Sequence, residues 1–319
     1  MKHAPLVLVS VTVACMIPGA AGQAMAQDFL SPMGPVAQAQ HDHLIRIVAI
    51  TMIVALPVFI GVPLLLLRYR RRAKRSAYKP NWEFSGTLEL VLWGVPIVIV
   101  GVLSWQLWHS TRSLDPYREL GPDALRVQVI GLNWKWLFVF PDEGVAVTGE
   151  LVLPENRPVS IVLTTDTVMQ SFMVPALAGQ IYAMPGMTTR LNMKATRVGD
   201  AIGLNTQFNG LGFVDQQFQA RIVTDDEWAA WVASARDEGV LLDAASYSVL
   251  AQQGNVAKAR GDLALQGDGP IRFTLKDPTL FEQVVGRYHT GKPVPPDQQP
   301  GTDVYRPEAA VMGDALEHH

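Results

Sequence analysis

Apolar residues along this chain fall into three regimes, each predicting a different kind of element. A short apolar run, Pro5 to Pro18, follows Lys2 and His3 and precedes small residues ending in Ala24-Met25-Ala26. That order is an export signal over 1–26, cleaved after Ala26 to leave Gln27 as the mature terminus. The run is shorter than the roughly 20 apolar residues that cross a bilayer. Two longer uncharged stretches follow, Ile47 to Leu67 and Leu90 to Trp108. At 1.5 Å per residue the first reaches about 30 Å as a helix. The region 27–110 therefore reads as a transmembrane hairpin, with spans at 45–67 and 89–108 and a loop over 68–88. Pro57, Pro63 and Pro96 would break a water-soluble helix but are tolerated where neighbours re-satisfy the freed carbonyls.

From Leu125 the pattern changes to short β-rich runs: Arg126 to Leu132, Trp134 to Phe140, Val145 to Leu153 and Val159 to Thr164. Met187 to Ala195, Gly203 to Phe208 and Gln216 to Val223 continue it, and Val168 to Pro175 reads as a strand entering a loop. Turn residues such as Pro141-Asp142-Glu143-Gly144 separate them, so 111–225 is predicted to be an all-β sandwich. A helical stretch, Asp226 to Asp237, opens an aromatic-rich extension over 226–291, with further helices at Asp243 to Gln253 and Pro278 to Tyr288. A strand-like Ile271 to Leu275 lies between them. Five prolines after Lys292 predict an extended or disordered end over 292–319.

Charge orients the hairpin. Arg68-Tyr69-Arg70-Arg71-Arg72-Ala73-Lys74-Arg75 lies between the spans, which marks the cytoplasmic side and leaves both mature termini outside the cytoplasm. Trp82 and Trp108 suit interfacial anchoring. Over the whole 319 residues only 17% are charged and the net charge is -3, so no basic excess exists to hold nucleic acid. Glu89 directly precedes the second span and is by position either a solvated flank or part of a proton path.

Candidate chemistry is sparse. The single cysteine, Cys15, follows Thr12-Val13-Ala14, which lacks the leucine favoured at lipidation sites, and it leaves with the signal. A blue-copper centre needs two histidines and a cysteine, and a thiolate-bridged copper pair needs two cysteines. Between Ser110 and Glu282 there is neither histidine nor cysteine, so the sandwich cannot assemble either centre. His41 and His43 form an isolated pair without further ligands, and His318 and His319 belong to the tail. Strand alternation places Trp134 and Trp136 on one face, core or contact surface. No nucleophile–base pair or phosphate loop is visible.

Two spans, a basic hairpin loop and an exported sandwich carrying Trp-Lys-Trp together resemble subunit II of the haem–copper respiratory oxidases. The resemblance is nearest to the bo-type ubiquinol oxidases. It rests on Tyr78-Lys79-Pro80-Asn81-Trp82, Trp93-Gly94-Val95-Pro96-Ile97, Asn133-Trp134-Lys135-Trp136-Leu137-Phe138 and the run Gln180 to Leu191. It implies a cupredoxin-like sandwich.

In the cytochrome c oxidase branch this domain holds a binuclear copper centre. The first histidine of that centre would fall on Gln170. Its Cys-x-x-x-Cys-x-x-x-His-x-x-Met loop would fall on Asn205, Asn209, Phe213 and Gln216, and its carbonyl-donating glutamate on Gln207. None of these side chains holds copper here, which is the departure that defines the quinol-oxidising branch. The resemblance therefore implies a bacterial inner-membrane subunit II with no cofactor of its own and no catalytic residue on this chain. Haem and copper would lie in subunit I, with subunit I, the other subunits and lipid as partners and ubiquinol reached through the complex. It also implies proton uptake at Glu89 and contact of Trp134 and Trp136 with subunit I. A copper-containing cytochrome c oxidase subunit and a membrane-anchored adaptor module are the rival readings.

Overall fold

The computed structural model describes residues 29–70, 84–308 and 310. The export signal with Cys15, the segment 71–83 with Trp82, and the two terminal histidines lie outside them. Two long helices come first, α1 (Pro35–Arg68) and α2 (Gly86–Ser113). Both are long and apolar enough to cross a membrane, and their apolar centres are not buried against the rest of the chain. Pro57, Pro63 and Pro96 lie inside these helices without ending them.

α1 begins well before its apolar stretch, for two reasons. Pro35 occupies a first-turn position, where its missing N–H costs nothing. Met33 and Ala37 are also buried against the β-domain. There Met33 N–H donates to Ala176 O at 2.7 Å and Thr196 N–H to Met33 O at 2.8 Å. Near the other end of this outer section His43 Nδ1 lies 3.0 Å from Ser110 Oγ, tying α1 to α2.

Twelve strands build the β-domain: β1 (Leu125–Leu132), β2 (Lys135–Phe140), β3 (Val145–Thr148), β4 (Glu150–Pro154), β5 (Pro158–Thr165) and β6 (Gln170–Met173) come first. They are followed by β7 (Ile181–Ala183), β8 (Thr189–Lys194), β9 (Gly199–Asn205) and β10 (Gln217–Val223). After α3 (Asp225–Glu238) come β11 (Val240–Leu242), α4 (Ala244–Leu250), α5 (Val256–Asp262), β12 (Ile271–Leu275) and α6 (Leu280–Gly286). The strands form a seven-stranded sheet in the order β11-β12-β3-β2-β1-β5-β8 and a five-stranded sheet in the order β4-β10-β9-β6-β7. The run Val145 to Leu153, read as one strand, is two. Gly149 turns the chain at φ 95°, sending β3 to one sheet and β4 to the other.

The extension is not an appendage beginning at 226. β11 and β12 complete the larger sheet, β12 pairing with β3 from Ile271↔Thr148 to Thr274↔Val145. Every residue of β2 is buried because the sheet is covered on both faces. Trp136, Phe138 and Phe140 point between the sheets, where Phe172, Phe218, Trp228 and Trp231 meet them. Leu137 and Val139 point outward, beneath Tyr247, Leu250, Phe273, Phe281 and Val284 of the extension. A strand apolar on both faces requires both to be covered. The chain after Lys292, read as extended or disordered, packs as an irregular strap as far as it is described. Pro300 is buried, and Tyr305 Oη donates to Ser248 O at 3.0 Å.

Candidate functional site

Three strand ends bring together residues that the resemblance aligned with copper ligands. Gln170 opens β6, Asn205 closes β9 and Gln216 directly precedes β10. The connecting loop carries Asn209, and a 3-10 turn, Phe213–Asp215, reverses the chain toward β10. Gln170, Asn205 and Gln216 are each at most 2% exposed.

Their amides satisfy one another. Gln216 Nε2 donates to Gln170 Oε1 at 2.6 Å, and Gln216 Oε1 accepts from Asn209 Nδ2 at 2.7 Å and Asn205 Nδ2 at 3.0 Å. Gln170 Nε2 donates to Leu132 O and to Thr167 Oγ1, both at 3.0 Å. Asn205 Oδ1 accepts the backbone N–H groups of Ser171 and Gln207 at 2.9 and 3.0 Å. Gln207 takes part through its backbone. Phe213 stands apart, half-buried, its ring 5.8 Å from that of Phe208.

This donor set does not fit a copper pair. It offers no thiolate, imidazole or thioether, and the amide oxygens of Gln170, Asn205 and Gln216 already accept from N–H donors. Among the described residues no group of three or more histidine, cysteine or acidic side chains could hold a metal.

The two tryptophans separate. Trp136 is 1% exposed in the core, edge-on to Phe172 with ring centroids 5.3 Å apart. Trp134 precedes the strand at φ 68°, so alternation does not extend to it, and it lies half-exposed over the ligand loop. Its indole N–H donates to Asn209 O at 3.3 Å, and a Cβ on Gly212 would come within 2.1 Å of its ring. The shared face expected for the pair is thus corrected: Trp136 cannot be a surface contact, and Trp134 can. Beside Trp134 the loop exposes Phe208, Val214 and Leu211, the last at 97%.

Two buried groups were not singled out from sequence. Asp166, fully buried after β5, accepts from Tyr247 Oη at 2.7 Å, Tyr288 Oη at 2.9 Å and Arg287 Nη1 at 2.8 Å, all from the extension. Burial, reinforced by this carboxylate, pushes both phenols well above their usual range. Lys135, pointing away from Trp136, is 2% exposed. Its Nζ donates to Gln252 O and Gly254 O, both at 2.7 Å, and burial lowers the amine to about 7. A lone charge in an otherwise uncharged β-rich run is the only hint the sequence holds for either. Glu89 lies exposed in the first turn of α2, where the helix dipole favours an anion.

The family model for the periplasmic domain of cytochrome c oxidase subunit II matches residues 143–215. Cytochrome bo(3) ubiquinol oxidase subunit 2 of Pseudomonas putida is 35% identical over 262 residues, covering 81% of this chain and 80% of the relative. Ubiquinol oxidase subunit 2 of Acetobacter aceti is 33% identical over 269 residues, 83% of each chain. Among solved structures, the periplasmic domain of cytochrome oxidase subunit II from Bradyrhizobium japonicum is 26% identical, with a TM-score of 0.36 over 37% of this chain and 97% of that one. With this identity over this span, the chain belongs to the subunit 2 family of the ubiquinol oxidases.

Proposed function

We propose that this chain is the copper-free second subunit of a proton-pumping oxidase in a bacterial inner membrane, where ubiquinol is oxidised and oxygen reduced to water. The observation that carries the reading is the amide network. Gln216 binds Gln170, Asn205 and Asn209 at once, leaving no donor set through which cytochrome c could pass electrons. Haem and copper belong to the large subunit, and this chain contributes no catalytic residue. Its hairpin anchors the β-domain on the outer face, with both mature termini on that side.

Two residues are assigned roles within the complex. Glu89, exposed in the first turn of α2, takes up protons from the cytoplasm. Trp134, with the apolar tip Phe208, Leu211 and Val214, contacts the large subunit. The purified complex should oxidise ubiquinol and leave reduced cytochrome c untouched; rapid oxidation of cytochrome c would reject the reading. Glu89→Gln should slow ubiquinol turnover severalfold without loss of haem, and unchanged turnover would remove that assignment.

A further inference from the structure

We propose that the helical hairpin carries a site for one anionic phospholipid at its end nearer the β-domain, where Arg46 holds the lipid phosphate. The contact of His43 Nδ1 with Ser110 Oγ at 3.0 Å sets the level of α1 against α2. The two helices run antiparallel, so Arg46, three positions deeper in α1, stands level with Leu107. At 1.5 Å per residue Leu107 lies about 27 Å along α2 from Glu89. The hydrocarbon core of a bilayer is about 30 Å thick, so the backbone of Arg46 sits at its edge and the side chain reaches the headgroups.

The chain does not compensate this cation. Arg46 is exposed, and no carboxylate among the described residues pairs with it. Asp42 stands one turn earlier, at the spacing that favours an ion pair, but its carboxylate is engaged elsewhere. Gln38 Nε2 donates to Asp42 Oδ1 at 2.9 Å, and His41 Nδ1 lies 3.5 Å from the same atom. α1 has no acidic residue after Asp42, and the chain has none between Glu89 and Asp115. A cation at this depth is costly unless an anion meets it.

The neighbouring groups suit a phosphate diester above an acyl chain. By helical position Gln106 and His109 line the same flank of the hairpin as Arg46. The His109 ring lies 5.0 Å from that of the exposed Trp105. That flank therefore offers a guanidinium, two further hydrogen-bond donors and an aromatic wall. Arg112 turns away from it, its guanidinium 4.3 Å over the Trp108 ring. A zwitterionic headgroup would bring its own ammonium toward Arg46, whereas an anionic one brings the phosphate alone, so the uncompensated charge selects an anionic lipid.

Native mass spectrometry of the detergent-purified complex tests this, after exchange against vesicles of equal parts phosphatidylglycerol and phosphatidylcholine. The unmodified complex should retain phosphatidylglycerol in preference to phosphatidylcholine. Arg46→Gln should retain one phosphatidylglycerol fewer with its subunit content unchanged, and Arg112→Gln should retain the full number. Equal retention of the two lipids by the unmodified complex would overturn the proposal without any variant. So would an unchanged count in Arg46→Gln, or the same loss in Arg112→Gln. Dissociation of this subunit from the Arg46→Gln complex would overturn it too, since the partner of Arg46 would then be a carboxylate of another subunit.

Discussion

Gln216 is the residue on which the site turns, because its one amide both donates to Gln170 and accepts from two asparagines. Replacing it with leucine strands the buried Gln170 Oε1 and takes an acceptor from the half-buried Asn209 and from Asn205, whose Nδ2 keeps Gln207 O. At about 1–3 kcal/mol for each unsatisfied buried group, partly relieved by the neighbouring carbonyls, Gln216→Leu should cost about 3 kcal/mol. A thermal melt of the assembled complex would read this as a lowered midpoint; an unchanged midpoint would mean that the network adds no stability. Asp166→Asn takes away the buried carboxylate charge paired with Arg287 and should cost about 3 kcal/mol, measured the same way. Asn205, Asn209 and Gln216, which the resemblance set at fixed spacings, meet in the folded loop, and Phe213 of the same pattern stands apart. Lys135 was not legible, because its burial depends on a turn more than a hundred positions away. Trp134 and Trp136 misled for a local reason: period-2 alternation fails where the first residue takes a left-handed φ.

Among the elements, the ones read correctly are those whose pattern is set locally. α3 carries its own start signal, a capping box in which Thr224 Oγ1 accepts from Glu227 N–H at 3.4 Å and Glu227 returns to Thr224 N–H at 3.0 Å. Thr224→Ala should therefore cost about 1 kcal/mol by the same melt. The β3–β4 break was hidden, since Val145 to Leu153 is uniformly strand-forming apart from Gly149 and its flanking polar residues. Only the positive φ at Gly149 reveals it. A side chain there is strained, and its Cβ would lie 3.3 Å from Pro270 Cα. Gly149→Val should destabilise by about 2 kcal/mol or more. An equally stable Val variant would mean that the crossover tolerates an ordinary backbone.

At the scale of the whole molecule, the sheet needs its second cover. Ile130, Leu132, Leu137 and Val139 on its outer face would meet water without α4, α6 and β12. That is why the extension is part of the domain, a dependence invisible when segments are read one at a time. Beneath this double-covered sheet lies the amide network on which the proposed copper-free role rests. The direct measurement is the near-infrared absorption of the oxidised, intact complex while it is active with ubiquinol. The account predicts no band from a mixed-valence copper pair; such a band, retained by the complex and lost when this subunit is removed, would contradict it.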